Sequence, residues 1–176
     1  MTRATAALSL KARALRHLAR REHSRAELER KLAAPTRGNP GGRTRHGRSE
    51  DADTPAAQGA DQLREQIRCT LDELAARGLL NDERAAESVL ASQGRRFGNR
   101  RLKQTLQAKG LDAELVAATL QRSRATEFER ALELWRRRFG AVAVDAGDRA
   151  RQARFLAGRG FDGDIIRRLV KGVEEN

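Results

Sequence analysis

"AARGLLNDE", Ala75 to Glu83, returns in altered form as "QAKGLDAEL", Gln107 to Leu115, and as "AGRGFDGDI", Ala157 to Ile165. In each copy a leucine (Leu74, Leu106 or Leu156) precedes a cation and a glycine: Arg77 and Gly78, Lys109 and Gly110, Arg159 and Gly160. A glycine just past a helix takes positive φ without strain, and the cation suits the negative helix end. The next apolar residue (Leu79, Leu111 or Phe161) then folds back on the last turn. Asn81, Asp112 and Asp162 offer N-cap chemistry to the helix that follows. Each phrase is therefore a helix stop and a helix start rather than a ligand site. The spacing is 32 residues from Gly78 to Gly110 and 50 from Gly110 to Gly160. The repeats are degenerate helical modules, not a regular solenoid.

Helical periodicity fills most of the chain around these phrases. Leu8, Lys11, Ala12, Leu15, Leu18 and Ala19 read as one stripe; Ser24 and Glu27 have capping-box spacing, with Leu28 and Leu32 behind them. Leu63, Ile67, Thr70, Leu71 and Leu74 form the cleanest face. Ala85, Ala86, Val89, Leu90 and Gln93 follow, then Leu102 with Leu106, and Val116 with Leu120. Phe128, Ala131, Leu132, Trp135 and Phe139 form the heaviest face, ahead of Ala150, Ala153 and Leu156 and finally Ile165, Ile166, Leu169, Val170 and Val173. No stretch alternates with period two, so the expected class is all-α with about nine helices. Residues 35–60 hold all three prolines and no apolar side chain larger than alanine, and are expected to be a disordered insert. The expected organisation is two helices of a first module in 1–34, the insert in 35–60, the third helix in 61–80, a second module in 81–122 and a third in 123–176.

The 176 residues carry 36 Lys and Arg against 24 Asp and Glu, a net charge of +12. Such an excess attracts polyanions, of which nucleic-acid phosphate is the commonest. The membrane-surface alternative lacks a helix with bulky anchors opposite its charges, and no apolar run is long enough to span a bilayer. A lone cysteine, Cys69, suits a reducing compartment, and we expect a cytoplasmic protein. Aromatic residues are only 3% of the chain. The core must therefore be built mainly from Leu, Ala, Val and Ile.

Catalytic and metal chemistry find little to use. His17 and His23 straddle an expected helix break and His46 sits in the insert, which is no zinc pattern. There is no glycine-rich phosphate loop, and Ser9, Ser24, Ser88, Ser92 and Ser123 lie in helical or capping contexts without a His and Asp constellation. We expect no enzyme, no cofactor and no metal. Acidic residues beside cations, such as Glu129 and Arg130, read as solvated faces. The candidates that remain are basic clusters: Arg95, Arg96, Arg100, Arg101 and Lys103 around Phe97 and Gly98; Arg136, Arg137 and Arg138 beside Trp135 and Phe139; and Arg167, Arg168 and Lys171. They suit phosphate contact better than base reading, because no helix shows a distinct recognition face. Phe97, Trp135 and Phe139 could stack on bases, although their helical spacing favours core packing.

Four segments, "ALRHLARREHSRAELERKL", "LDELAARGLLNDERAAES", "GRRFGNRRLKQTLQAKGL" and "RQARFLAGRGFDGDIIRRLV", resemble in content and order the bacterial RecX family. The resemblance covers the chain apart from the insert. It implies an elongated array of three helix-turn-helix-like, three-helix modules, a monomer that acts in DNA repair, recombination and the SOS response. It further implies a non-enzymatic protein whose partner is the RecA filament, in contact with single- and double-stranded DNA through phosphates. Its action would be modulation, mainly inhibition, of recombinase ATPase and strand exchange. Two features depart from the family: Ala85 follows "DER" where an aromatic is usual, and the 35–60 insert is long. The competing classes are a free-standing helical DNA-binding protein, such as a transcription regulator, and a pure protein adaptor.

Overall fold

The computed structural model describes residues 8–34 and 55–172, with the side chains of 55–57 excepted. Nine helices occur among them: α1 Leu10–Leu18, α2 Arg25–Ala33, α3 Pro55–Ala76, α4 Asp82–Gln93, α5 Asn99–Ala108, α6 Ala113–Arg124, α7 Glu127–Phe139, α8 Ala146–Ala157 and α9 Gly163–Lys171. They fall into two compact units, residues 1–82 and 83–176. No helix among the described residues is long and apolar enough to cross a membrane.

The first unit packs α1, α2 and α3 around Ala14, Leu28, Leu32, Ile67, Leu71, Leu74 and Leu80. The stripe read for α1 is displaced from the buried face. Ser9 is the N-cap and its hydroxyl accepts from the Ala12 N–H, so Leu8 stands outside the helix and cannot set its phase. The face that packs is Leu10, Ala14 and Leu18, whereas Leu8 and Leu15 are exposed. The third helix also starts earlier than expected. It begins at Pro55, within the segment expected to be a disordered insert, because proline suits the first helical position and alanines follow it. Residues 35–54 of that insert lie outside the described residues.

A cation on one helix secures the end of another in this unit. Arg13 of α1 donates from its Nη2 to the carbonyls of Lys31 and Leu32, at 3.3 and 3.1 Å, which the α2 C-terminus leaves without intrahelical partners. Lys11–Glu73 (2.6 Å) and Arg25–Asp72 (2.7 Å) tie α1 and α2 to α3 at the surface. Cys69 is exposed, with its thiol 3.6 Å from a Glu65 carboxylate oxygen.

His23 is buried, 5.7 Å from the His17 ring, and its hydrogen bonds fix its protonation. The Lys31 ammonium lies 2.8 Å from Nε2 and can only donate, so Nε2 is the acceptor. Nδ1 then carries the proton and donates to the Arg21 carbonyl at 2.9 Å. Burial above all, with the nearby cations, pushes both His23 and His17 below the ordinary histidine value; the hydrogen bond to the Arg21 carbonyl opposes this at His23, and Glu27 opposes it at both. The unfolded chain therefore binds more protons than the fold once pH drops through about 6.5. Stability is held above that pH and lost as pH falls from there towards the folded-state values. Urea midpoints measured from pH 8 to pH 5 should decline over that window, and His23→Gln should flatten the decline; equal slopes in both proteins would remove His23 as its source.

The second unit contains two three-helix modules, α4–α6 and α7–α9. Ala86, Val89, Leu102, Leu106, Leu111 and Val116 form the first core, and Ala131, Trp135, Leu156, Phe161, Ile166 and Leu169 the second. Residues 111–120 and 161–170 alternate between buried and exposed in the same order, so the 50-residue spacing is a true module repeat. Gln152 takes the buried place corresponding to Leu102: its Oε1 accepts from the Trp135 indole at 3.1 Å and its Nε2 donates to the Ala141 carbonyl at 3.0 Å. Trp135 is thus a core residue. Ala85 is 1% exposed, on the inner face of α4.

All three phrases close their helices in one way. Gly78, Gly110 and Gly160 have φ of 67°, 73° and 78°, and the N–H groups of Leu79, Leu111 and Phe161 reach back to the carbonyls of Leu74, Leu106 and Leu156. This is the paired turn-closing pattern that glycine permits. Their positions in the modules nevertheless differ. Gly110 and Gly160 lie between the second and third helices of their modules, whereas Gly78 joins α3 to α4. That difference accounts for the uneven 32- and 50-residue spacings. It also accounts for Leu79, which is 44% exposed where Leu111 and Phe161 are buried; Leu80 packs into the first core in its stead.

Candidate nucleic-acid interface

The α4–α5 turn, residues 94–98, closes through Arg96 N and Phe97 N on Gln93 O, at 2.9 and 3.1 Å, and is held from outside by other elements of its unit. Arg130, near the start of α7, donates to Gly94 O (2.6 Å), Phe97 O (3.0 Å), Ser123 O (2.9 Å) and Ser123 Oγ (2.7 Å). Partial burial pulls its pKa below the ordinary arginine value, with Glu127 and Glu129 opposing. The buried Glu127 carboxylate accepts from the Asn99 N–H at 2.9 Å at the start of α5. On the other flank, Gly98 N donates to Arg159 O and Arg100 N to Gly160 O, both at 3.0 Å. The third phrase therefore also joins its module to the second. A Cβ on Gly98 would stand 2.3 Å from Phe161 Cα, so only glycine allows the approach.

Five cations of the first cluster are mounted on this joint, and no Asp or Glu occurs in sequence between Glu87 and Asp112. Arg95, Arg96, Arg100, Arg101 and Lys103 are all exposed, and none forms an ion pair among the described residues. Elsewhere in the chain, exposed arginines are commonly paired at helical spacing, as in Arg68–Glu65 (2.7 Å) and Arg77–Glu73 (2.6 Å). The cluster's positive potential is therefore not locally neutralised. Arg96 and Arg101 converge on Phe97, their guanidinium carbons 5.6 and 5.1 Å from the ring centre. Arg95 turns to a separate open cleft of about 570 Å³, which Arg122, Ser123 and Thr126 also line.

The other two clusters disperse. Arg136, Arg137 and Arg138 are consecutive on α7, so they fan around the helix by about 100° per residue. Arg137 lies 3.9 Å from Glu133, and Arg138 lines a second cleft, of about 410 Å³, with Asp148 and Arg151. Arg167 is paired with Asp164; Arg168 sits over Phe128, 4.3 Å from its centre; Lys171 is exposed. Phe139 packs edge-on against Phe155 at 5.1 Å.

Two arginines that matter here escape a reading by charge clusters. Arg130 reads as half of a solvated Glu129–Arg130 pair; its place one turn before the partly buried Leu134, on the edge of an apolar stripe, was the available signal. Arg159 reads only as the cation of a helix stop, yet its guanidinium lies 3.8 Å from the Phe155 ring centre and its carbonyl is bonded to Gly98. The described residues contain no group of His, Cys, Asp and Glu able to hold a metal ion.

Comparison with known proteins gives one consistent picture. Residues 81–120 match the second three-helix domain of RecX and residues 125–170 the third. Among curated relatives, the regulatory protein RecX of Leptothrix cholodnii is 44% identical over 164 residues, covering 93% of this chain and 88% of the relative. The RecX of Chromobacterium violaceum is 38% identical, with 93% and 90% covered. The crystal structure of RecX from Lactobacillus salivarius has the same fold, with a TM-score of 0.64 at 20% identity and 92% of each chain covered. The chain belongs to the RecX family of regulatory proteins.

Proposed function

We propose that the chain binds the RecA filament together with its DNA and mainly restrains ATP hydrolysis and strand exchange. The observation that carries the reading is the unneutralised cluster of Arg95, Arg96, Arg100, Arg101 and Lys103 on a rigidly braced joint, in a member of the RecX family. Modest phosphate contacts gain strength when a second surface of the same protein engages the filament, because the second contact becomes intramolecular. A protein bridging filament and DNA in this way resists the motions of ATP turnover and obstructs a second DNA.

The competing reading, a free-standing reader of duplex sequence, needs a third helix rich in base-reading side chains. The exposed positions in the first half of α6, the half that meets base edges in a helix-turn-helix reader, are Ala113, Glu114, Ala117 and Ala118, which offer bases almost nothing. The exposed Gln121, Arg122 and Arg124 stand at its carboxyl end, where Arg122 lies 3.6 Å from Glu87. Combining Arg95→Glu, Arg100→Glu and Lys103→Glu should weaken inhibition of DNA-dependent ATPase about tenfold while leaving thermal unfolding unchanged. The salt dependence of single-strand binding should become shallower by roughly 0.7 for each phosphate that is no longer neutralised. Undiminished inhibition by the folded variant would reject the cluster as the contact, and sequence-selective duplex binding without RecA would favour the competing reading.

A further inference from the structure

We infer that the α5 amino terminus and the α8–α9 turn together form a stacking platform for the bases of single-stranded nucleic acid. The inference rests on the reading of this surface as a nucleic-acid interface and specifies which form of nucleic acid it takes. The two backbone hydrogen bonds across the joint, Gly98 N to Arg159 O and Arg100 N to Gly160 O, make Phe97 and Arg159 neighbours although 62 residues separate them. Each brings a ring with its guanidinium: Phe97 is flanked by Arg96 and Arg101, and Phe155 is covered by Arg159 at 3.8 Å.

A guanidinium plane held against a phenyl ring has lost much of its rotamer freedom, and its other face stays available to a second flat partner. Phosphate contact alone needs no such arrangement, since a mobile lysine serves it equally well. Phe97 is itself partly exposed, and Phe155 is braced edge-on by Phe139. Aromatic and guanidinium surfaces set in a field of positive charge suit unpaired bases, which stack with little regard to sequence. In duplex the base faces are already stacked on one another and cannot use the platform.

The test separates stacking from charge. The variant combining Arg96→Lys, Arg101→Lys and Arg159→Lys keeps every positive charge and removes the three guanidinium planes, leaving only the rings they cover. Anisotropy of labelled oligothymidylate and of an abasic oligonucleotide of equal length would be measured with the full chain, with thermal unfolding checked alongside. Wild type should prefer the base-bearing strand about tenfold, and the lysine variant should lose that preference while binding the abasic strand as wild type does. If the triple variant unfolds early, the Arg96→Lys, Arg101→Lys pair, which leaves Arg159 and the joint untouched, should still reduce the preference. Equal binding of both strands by wild type, or an unchanged preference in the folded lysine variant, overturns the platform and leaves the phosphate interface standing. Binding of neither strand would sink both.

Discussion

Gly160→Ala is expected to destabilise the 83–176 unit by about 3 kcal/mol, where the same change at Gly78 costs only about 1 kcal/mol. Both glycines stand in the left-handed region, at φ of 78° and 67°, so both substitutions carry the conformational penalty of roughly 1 kcal/mol. Their surroundings separate them. A Cβ at Gly78 meets nothing within 4 Å, whereas one at Gly160 falls 2.6 Å from Arg101 N and 2.8 Å from its Cβ. The backbone of α5 would have to retreat, which adds an overpacking cost of about 1–3 kcal/mol and endangers the Arg100 N to Gly160 O hydrogen bond. Gly98→Ala isolates the second effect, since its φ of −80° suits any residue while its Cβ would meet Phe161 Cα at 2.3 Å and Gly160 O at 2.4 Å. Urea denaturation should rank the three as Gly78, then Gly98, then Gly160. Equal losses at Gly78 and Gly160 would mean that the joint gives way freely and cannot fix the direction of the arginines.

The same three glycines show how far local sequence reaches. The closing pattern of each phrase is local chemistry within six residues, so it was legible, as were the N-caps Asp112 and Asp162, whose carboxylates accept from the N–H groups of Glu114 and Asp164. The all-helical class followed from periodicity for the same reason. What a phrase touches beyond its own turn is decided by tertiary packing: nothing near Gly160 in sequence indicates that Gly98 and Arg101 will lie against it. The phase of α1 cannot be read from Leu8, which lies one residue before the cap, where apolar character no longer reports a helix face. Of the interface, the cluster at 95–103 around Phe97 was visible as charge, but its union with Arg159 was not. That union depends on a joint between modules whose partners stand about 60 residues apart in sequence.

Arg130→Met should cost the second unit about 3 kcal/mol and also weaken nucleic-acid binding, although Arg130 is not among the exposed cations. Methionine keeps the apolar stem and removes all donors. It would strand Gly94 O and Phe97 O, which now accept at 2.6 and 3.0 Å, leave Ser123 O only the Thr126 hydroxyl at 3.4 Å, and leave Ser123 Oγ with Asn99 Oδ1 at 2.7 Å as its remaining polar contact. Hydrogen bonds from a charged donor contribute roughly 1.5–3 kcal/mol, and orphaned carbonyls in a partly buried site cost more than those that water can reach. Arg130→Lys should recover only part of the loss, because one ammonium cannot span acceptors on both the α4–α5 turn and the end of α6. The functional effect follows from what that turn carries. Gly94 and Phe97 bracket Arg95 and Arg96, so releasing their carbonyls lets the turn move and blurs the geometry of Arg96 over Phe97. Hydrogen exchange should quicken at residues 94–99 in Arg130→Met, with oligonucleotide affinity falling in step. Wild-type affinity together with fast exchange would show that the cations act as an unplaced charge cloud, and the bracing of the turn would then serve stability alone.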